Sequence, residues 1–135
     1  MARKVARSKT TLSNIGSSYT NPLQVELIVS PAGAVYVGEV SIINVQASNL
    51  SASSKPTKMI LKVSERAAGD EYLITSTEST IEYGETTTSK GTAIWRVAGV
   101  LALDEDLNDE FFCWVKTDQG TMDIDRITIT WVGDR

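Results

Sequence analysis

The sequence predicts an all-β protein: a two-layer antiparallel β-sandwich of about eight strands, wired as a jelly roll or like an immunoglobulin domain. Apolar and polar residues alternate in short runs that are separated by Gly, Asp, Asn and Ser, and this is the pattern of half-buried strands. The sequence contains no convincing amphipathic helix. Its 135 residues suffice for one such domain. An uneven distribution of charge further predicts an extended N-terminal arm.

The predicted strands follow one another from residue 23 onward and cover residues 23–27, 34–45, 58–65, 72–75, 80–83, 92–103, 111–116 and 121–132. In the second run the apolar phase shifts at Gly38, which predicts a bulge or a corner. Residues 67–70 predict the turn of a hairpin between the third and fourth strands. Gly120 ends the polar sequence 117–120, and it predicts a tight turn with a left-handed glycine.

The arm is predicted from charge and composition. Four of the 13 Lys and Arg residues lie in residues 1–10, and the other nine face all 17 Asp and Glu residues, which leaves the rest of the chain at −8. Residues 8–22 are mostly Ser, Thr, Asn and Gly, too polar to offset the entropy of ordering. We therefore expect 1–22 to be a flexible basic arm and 23–135 to be the sandwich domain. The arm is either a solvated tail or a tether whose partner-binding residues are Arg3, Lys4, Arg7 and Lys9.

Composition argues against catalysis. The chain has no histidine and one cysteine, Cys113, so Ser-His-Asp and Cys-His pairs, imidazole ligands and a four-cysteine zinc site are all excluded. We expect no enzymatic activity and no cofactor. No stretch approaches the roughly 20 apolar residues of a membrane helix, and no membrane association is expected. Four cations ahead of an acidic body make nucleic acid an unlikely partner compared with protein.

An acidic loop, residues 104–110, precedes the predicted strand at 111–116. We interpret this loop as solvated surface, as an acceptor for the N-terminal arm of a neighbouring subunit, or as a loose calcium site. The sixth and twelfth positions of a calcium-binding EF-hand would be Asp109 and Val115, where that motif has Gly and Glu, so an EF-hand is excluded. The acceptor residues are Asp104, Asp106, Asp109 and Glu110, and the calcium candidates are Asp104, Asp106 and Asn108.

Aromatic residues near the acidic loop divide between two faces. Cys113 alternates with Phe111 and Val115, and we expect it to be a buried thiol. Phe112 and Trp114 share the opposite face, which needs cover and is a candidate interface. Trp95 and Trp131 are expected in the core.

A basic segment at 1–22, a histidine-free all-β body rich in Ser and Thr at 23–135, and the lack of a catalytic set together resemble small head-decoration (cement) proteins of tailed bacteriophages, or small viral coat proteins. The resemblance implies a structural protein of the virion, assembled in the host cytoplasm. It would decorate a capsid lattice as a symmetric homo-oligomer, with its arm laced across the major capsid protein or other virion subunits. The alternative function is a carbohydrate-binding or adhesive module that uses Trp114, Phe112 and the Thr-rich loop 84–91.

Overall fold

The computed structural model describes residues 2–19, 23–28, 36–37, 40–64, 72–84, 89–98, 102–103 and 111–133. Over these ranges no helix is long and apolar enough to cross a membrane. Their regular structure consists of strands, three of which have only two residues. The strands are β1 (Ala2–Ser8), β2 (Leu12–Ile15), β3 (Leu23–Ile28), β4 (Tyr36–Val37), β5 (Val40–Ser48), β6 (Lys58–Ser64), β7 (Tyr72–Thr80), β8 (Glu82–Tyr83), β9 (Gly91–Ala98), β10 (Ala102–Leu103), β11 (Phe111–Thr117) and β12 (Met122–Gly133).

The strands form an antiparallel β-sandwich, as the sequence predicts. Hydrogen bonds join them in the order β7-β6-β11-β3-β1-β12-β5-β9-β8, β2 adds to β12, and β10 pairs separately with β4. The sheet folds over on itself, so that β7, at one end of this order, lies against β9, the second strand from the other end. There the Trp95 indole N–H donates to the Thr77 carbonyl oxygen (3.0 Å) and the Ser79 hydroxyl donates to the Ile94 carbonyl oxygen (2.7 Å). The folded sheet therefore has an inner face and an outer face, and side-chain hydrogen bonds to the backbone join β7 to β9.

One apolar core lies between the layers. It joins Leu61 and Cys113 from the β6/β11 layer to Ile43 and Ile129 from the β5/β12 layer. Inward residues alternate with outward ones, as in the burial pattern of β5, because side chains of a strand point to opposite faces in turn. Trp131 is fully buried, with its ring 5.7 Å from that of Phe111, and each such side chain contributes roughly 1.5–3 kcal/mol. The predicted burial of Trp95, Cys113 and Trp131 is confirmed.

The N-terminal segment contains two strands in this structure, so the prediction of a flexible arm is wrong for residues 2–8 and for residues 12–15, where β2 pairs with β12 and Ile15 is buried. β1 lies between β12 and β3 and pairs with both, with Ala6 opposite Ile129 on one side and Leu27 on the other. Ala6 is fully buried, and the Ser8 hydroxyl accepts a hydrogen bond from the Ile127 amide at 3.0 Å. The composition argument fails because a strand between two neighbours is held by backbone hydrogen bonds on both sides and by burial of small side chains such as Ala6, neither of which composition reveals. Such a strand needs few large apolar side chains.

Turn geometry agrees with the sequence at the end of β11. Gly120 has a φ of 67°, the left-handed conformation that glycine adopts without steric cost. A β-carbon at this position would collide with the Ser54 carbonyl oxygen and the Ser51 hydroxyl. The predicted run 34–45 divides into β4 and β5, and residues 38–39 between them lie outside the described residues. The predicted turn at 67–70 also lies outside them, although β6 and β7 pair antiparallel.

Candidate binding surfaces

The outer side of the layer formed by β1, β12, β5 and β9 carries a grid of polar and apolar side chains. Directly paired residues of antiparallel strands share a face, so the register aligns outward residues in rows across the four strands. We call this surface the arginine face. Its rows are Arg7–Thr128–Asn44–Ile94, Val5–Thr130–Ile42–Arg96 and Arg126–Gln46–Thr92, the last extended by Glu82 of β8.

The arginines of the arginine face form no ion pair with the side chains that the structure describes. Two acidic residues share their rows, because Glu26 of β3 pairs in register with Arg7 and Glu82 extends the row of Arg126. Arg7, Arg96 and Arg126 are exposed, and the ion pair found among the described residues joins Lys58 to Glu78 on the other layer. Ile94 is 46% exposed on the same face, two residues from Arg96 on β9. A guanidinium has five donors in a planar fork suited to carboxylates. The face spans about 14 Å at a strand spacing of roughly 4.8 Å, so it offers both charge and apolar contact to a partner surface.

The predicted partner-binding cations have separate positions in this structure. Arg3 and Lys4 belong to β1, where their backbones pair with Val132 and Trp131. Arg7 lies on the arginine face, and Lys9 is exposed just after β1. Arg96 and Arg126 complete the face although the sequence analysis did not single them out. Their signal was present, because both occupy outward positions of strands that alternate.

A second cluster lies on the outer side of β6, β7 and β11. We call it the aromatic–lysine cluster, and its members are Tyr19, Lys62, Tyr72, Trp114 and Lys116. The Lys62 ammonium nitrogen lies 4.2 Å from the ring centroid of Tyr19, 4.7 Å from that of Tyr72 and 5.5 Å from that of Trp114. The Lys116 nitrogen lies 4.5 Å from the ring centroid of Tyr19. Ammonium groups at these distances are attracted to aromatic faces.

The aromatic–lysine cluster supplies the cover that Trp114 was expected to need. The Tyr72 ring meets the Trp114 ring edge-on, with centroids 6.0 Å apart and an interplanar angle of 80°. Trp114 is consequently only 7% exposed, whereas Tyr72 is 37% exposed. Phe112 is half-buried. Among the described aromatic side chains of this face, Tyr72 is therefore the most exposed. Sequence reasoning missed it because it assigned the residue only to a hairpin strand.

Outside these two sets of residues, Asp118, Tyr83 and Cys113 have shifted pKa values. The Asp118 carboxylate accepts hydrogen bonds from the Thr57 amide (2.9 Å), the Thr57 hydroxyl and the Lys58 amide (3.1 Å). Partial burial would raise the pKa of Asp118, but these hydrogen bonds outweigh it and hold the pKa below its usual value. Burial, and then the charge of Asp118, raise the pKa of Tyr83. Burial raises the pKa of Cys113 to about 12, so this thiol is not a nucleophile at neutral pH.

The acidic loop lies outside the described residues, and with it the acceptor and calcium candidates Asp104, Asp106, Asn108, Asp109 and Glu110. Residues 85–88 of the Thr-rich loop lie outside them as well. Within the described ranges, no group of three or more Asp, Glu or Cys side chains is arranged to hold a metal ion. The arginine face and the aromatic–lysine cluster are therefore the candidate binding surfaces among the described residues.

By sequence, the chain matches no protein-family model and no curated protein. Among solved structures it is similar to a carbohydrate-binding module from Cellvibrio mixtus lichenase 5A in complex with cellotriose. That similarity has 14% identity and a TM-score of 0.40, and it covers 93% of this chain and 99% of the module. The chain is also similar to a family GH115 4-O-methyl-α-glucuronidase with specificity for decorated arabinogalactans, at 7% identity and a TM-score of 0.40, over 94% of this chain. It spans only 17% of that glucuronidase.

Proposed function

We propose that this chain is a non-enzymatic structural protein of a virion that decorates or cements a capsid lattice as a symmetric homo-oligomer. In this proposal the arginine face docks on the major capsid protein or another virion subunit. The observation that carries it is the set of exposed guanidiniums of Arg7, Arg96 and Arg126, which form no ion pair with the described side chains and share their face with exposed Ile94. Arginines around an apolar contact are enriched at protein interfaces.

An acidic protein surface fits this face better than nucleic acid does. Binding to nucleic acid depends on many contacts to phosphate groups, and the three guanidiniums of this face supply few of them. A protein partner can place a few carboxylates against the three guanidiniums and apolar atoms against Ile94. Because β1 is part of the sheet, attachment uses the sheet face in place of a free arm. Several copies around a symmetry axis would convert a weak single contact into firm attachment through avidity.

The proposal is tested by co-sedimentation of the chain with capsids purified from the virus or host that encodes it. Changing Arg7, Arg96 and Arg126 together to Gln should weaken attachment at least tenfold, and attachment of the wild type should fall as sodium chloride rises. The matched control changes Lys55, Lys58 and Lys90 to Gln, which removes the same charge elsewhere and should have little effect. Light scattering should give a multiple of the 14.7 kDa chain mass. A chain that is absent from capsids, or a triple-arginine variant that attaches like the wild type, would contradict the proposal.

A second candidate function is a carbohydrate-binding or adhesive module, favoured by the aromatic–lysine cluster on the opposite layer. Its Tyr72 ring is accessible and is held in place by Trp114 and Lys62. The apolar side of a sugar ring packs against a fixed aromatic ring of this kind. Binding of the wild type to a glycan array, lost with Tyr72→Ala, would support this candidate, and an array without any bound glycan would remove it.

A further inference from the structure

We infer that the aromatic–lysine cluster is a binding site for acidic sugars, in which Tyr72 stacks on a sugar ring while Lys62 and Lys116 pair with its carboxylate or sulfate. The inference rests on the second candidate function and specifies the class of its ligand. It concerns the outer side of β6, β7 and β11, which is a different surface from the arginine face.

The ring that would receive the sugar is fixed before binding. Tyr72 contacts Trp114 edge-on, and its hydroxyl oxygen accepts a hydrogen bond from the Lys62 ammonium at 3.0 Å. A side chain held at its ring and at its hydroxyl loses little conformational entropy when a ligand arrives. With 37% of its surface exposed, Tyr72 still presents area to a ligand.

The two lysines make an anionic ligand preferable to a neutral one. Both ammonium nitrogens lie near the Tyr19 centroid, at 4.2 and 4.5 Å, so they are no more than 8.7 Å apart, the sum of those distances. Neither has a carboxylate within 4.0 Å among the described residues, where the ion pair found is that of Lys58 with Glu78. An ammonium has three donors, and the Tyr72 hydroxyl uses one of those on Lys62. A carboxylate or sulfate between the lysines would accept the remaining donors and relieve the repulsion between the two cations.

Hydroxyl groups at the edge of the cluster suit a sugar better than a peptide. The Tyr19 hydroxyl and the Ser76 hydroxyl lie 2.8 Å apart and share a hydrogen bond in which either can donate. Each can donate and accept, as sugar hydroxyls do. An acidic peptide would satisfy the lysines but would make no use of the Tyr72 ring, so substitution of Tyr72 separates the two ligands.

Isothermal titration calorimetry of the full chain tests the inference with three probes: polygalacturonate, neutral cellohexaose and poly-glutamate. We expect polygalacturonate to bind at least tenfold more tightly than either of the others. Lys62→Met and Lys116→Met should each weaken polygalacturonate binding several-fold, and Tyr72→Ala should weaken it at least tenfold. Lys58→Met is the matched control, because Lys58 lies on the same strand but already pairs with Glu78 at 3.3 Å. Its binding should stay within twofold of the wild type.

The outcomes separate failure of this inference from failure of the candidate function. Equal binding of cellohexaose and polygalacturonate, unchanged in both lysine variants, would overturn the acidic preference and leave carbohydrate binding standing. Equal binding of poly-glutamate, unchanged by Tyr72→Ala, would assign the cluster to acidic protein surfaces and overturn the inference. Absence of binding to both saccharides would remove the carbohydrate function itself. If Tyr72→Ala does not fold, the two lysine variants decide the matter.

Discussion

At the scale of single residues, two carboxylates organise the turns at one end of the sandwich. Asp118 accepts hydrogen bonds from Thr57 and Lys58. Asp123 accepts one from the Asn49 side chain (2.7 Å) and one from the Asn14 amide (3.0 Å), and these hydrogen bonds lower its pKa. Both asparagines have left-handed backbones, with φ of 52° and 56°, a conformation that asparagine tolerates better than most residues. Charged acceptors thus stabilise backbone that would otherwise be strained.

Asp118→Asn should reduce the dependence of stability on pH in acid. Because the pKa of Asp118 is lowered in the folded state, its contribution is present above the ordinary value of 3.8 and is lost as pH falls through the lower folded pKa. We expect the variant to be about 1–2 kcal/mol less stable at pH 7 and to lose less stability below pH ~4 than the wild type. Urea unfolding from pH 7 to 2.5 measures both effects, with Glu78→Gln as an exposed control. Parallel curves for wild type and Asp118→Asn would contradict this role.

Single residues were predictable where their chemistry is local. The left-handed turn at Gly120 follows from a glycine after Thr-Asp-Gln, and the burial of Trp131 follows from its alternation with threonines. Asn14 and Asn49 were not predicted, since their positive φ depends on a carboxylate 109 and 74 residues away. The partner of Tyr72 is likewise distant in sequence. Side chains that act through remote partners leave no local pattern.

At the scale of elements, β1 is a strand whose order amino-acid composition does not predict, because it comes from the two strands that flank it. The segment is short, basic and poor in large apolar residues, and such composition usually indicates a tail. Its partners are β3 and the distant β12, where Arg7 lies opposite Thr128. β12 was predicted because Ile127, Ile129 and Trp131 alternate clearly with threonine. β1 was not, because its order depends on the two strands that flank it.

Removal of residues 2–8 should therefore destabilise the whole protein. β12 and β3 would lose the strand between them, and their paired amides and carbonyls would face solvent or an empty slot in the sheet. We expect the truncated chain to lose its cooperative thermal transition, whereas Arg7→Gln, which keeps the backbone, should melt within a few degrees of the wild type. Amide exchange should show protection in β1 of the intact chain. A truncated chain that melts like the wild type would show that β1 is dispensable.

At the scale of the whole molecule, the two outer faces lie on opposite layers of one sandwich. The layers of such a fold pack about 10 Å apart, so the arginine face and the aromatic–lysine cluster are separated by the core that contains Ile43 and Leu61. The sandwich class followed from strand patterning in the sequence. The faces did not, because they depend on which strands pair and in what register. A molecule with this arrangement can hold one partner on each side.

If the chain has both proposed functions, attachment to capsids and binding of acidic sugars should be separable and simultaneous. The triple change of Arg7, Arg96 and Arg126 to Gln should weaken capsid attachment and leave the affinity for polygalacturonate within twofold. Lys62→Met combined with Lys116→Met should weaken the binding of polygalacturonate and leave capsid attachment within twofold of the wild type. Sites separated by the core share no side chains, and their free energies should add.

Labelled polygalacturonate should consequently sediment with capsids only when the wild-type chain is attached. Either set of substitutions should remove the saccharide from the capsid pellet, but each set does so by a different route. The lysine variant would leave the chain on the capsid without the saccharide, whereas the arginine variant would leave the chain and saccharide together in the supernatant. If each set of substitutions abolished both activities in the separate assays, the two faces would form a single site. If saccharide and capsid displaced one another from the wild-type chain, both ligands would have to use the same face.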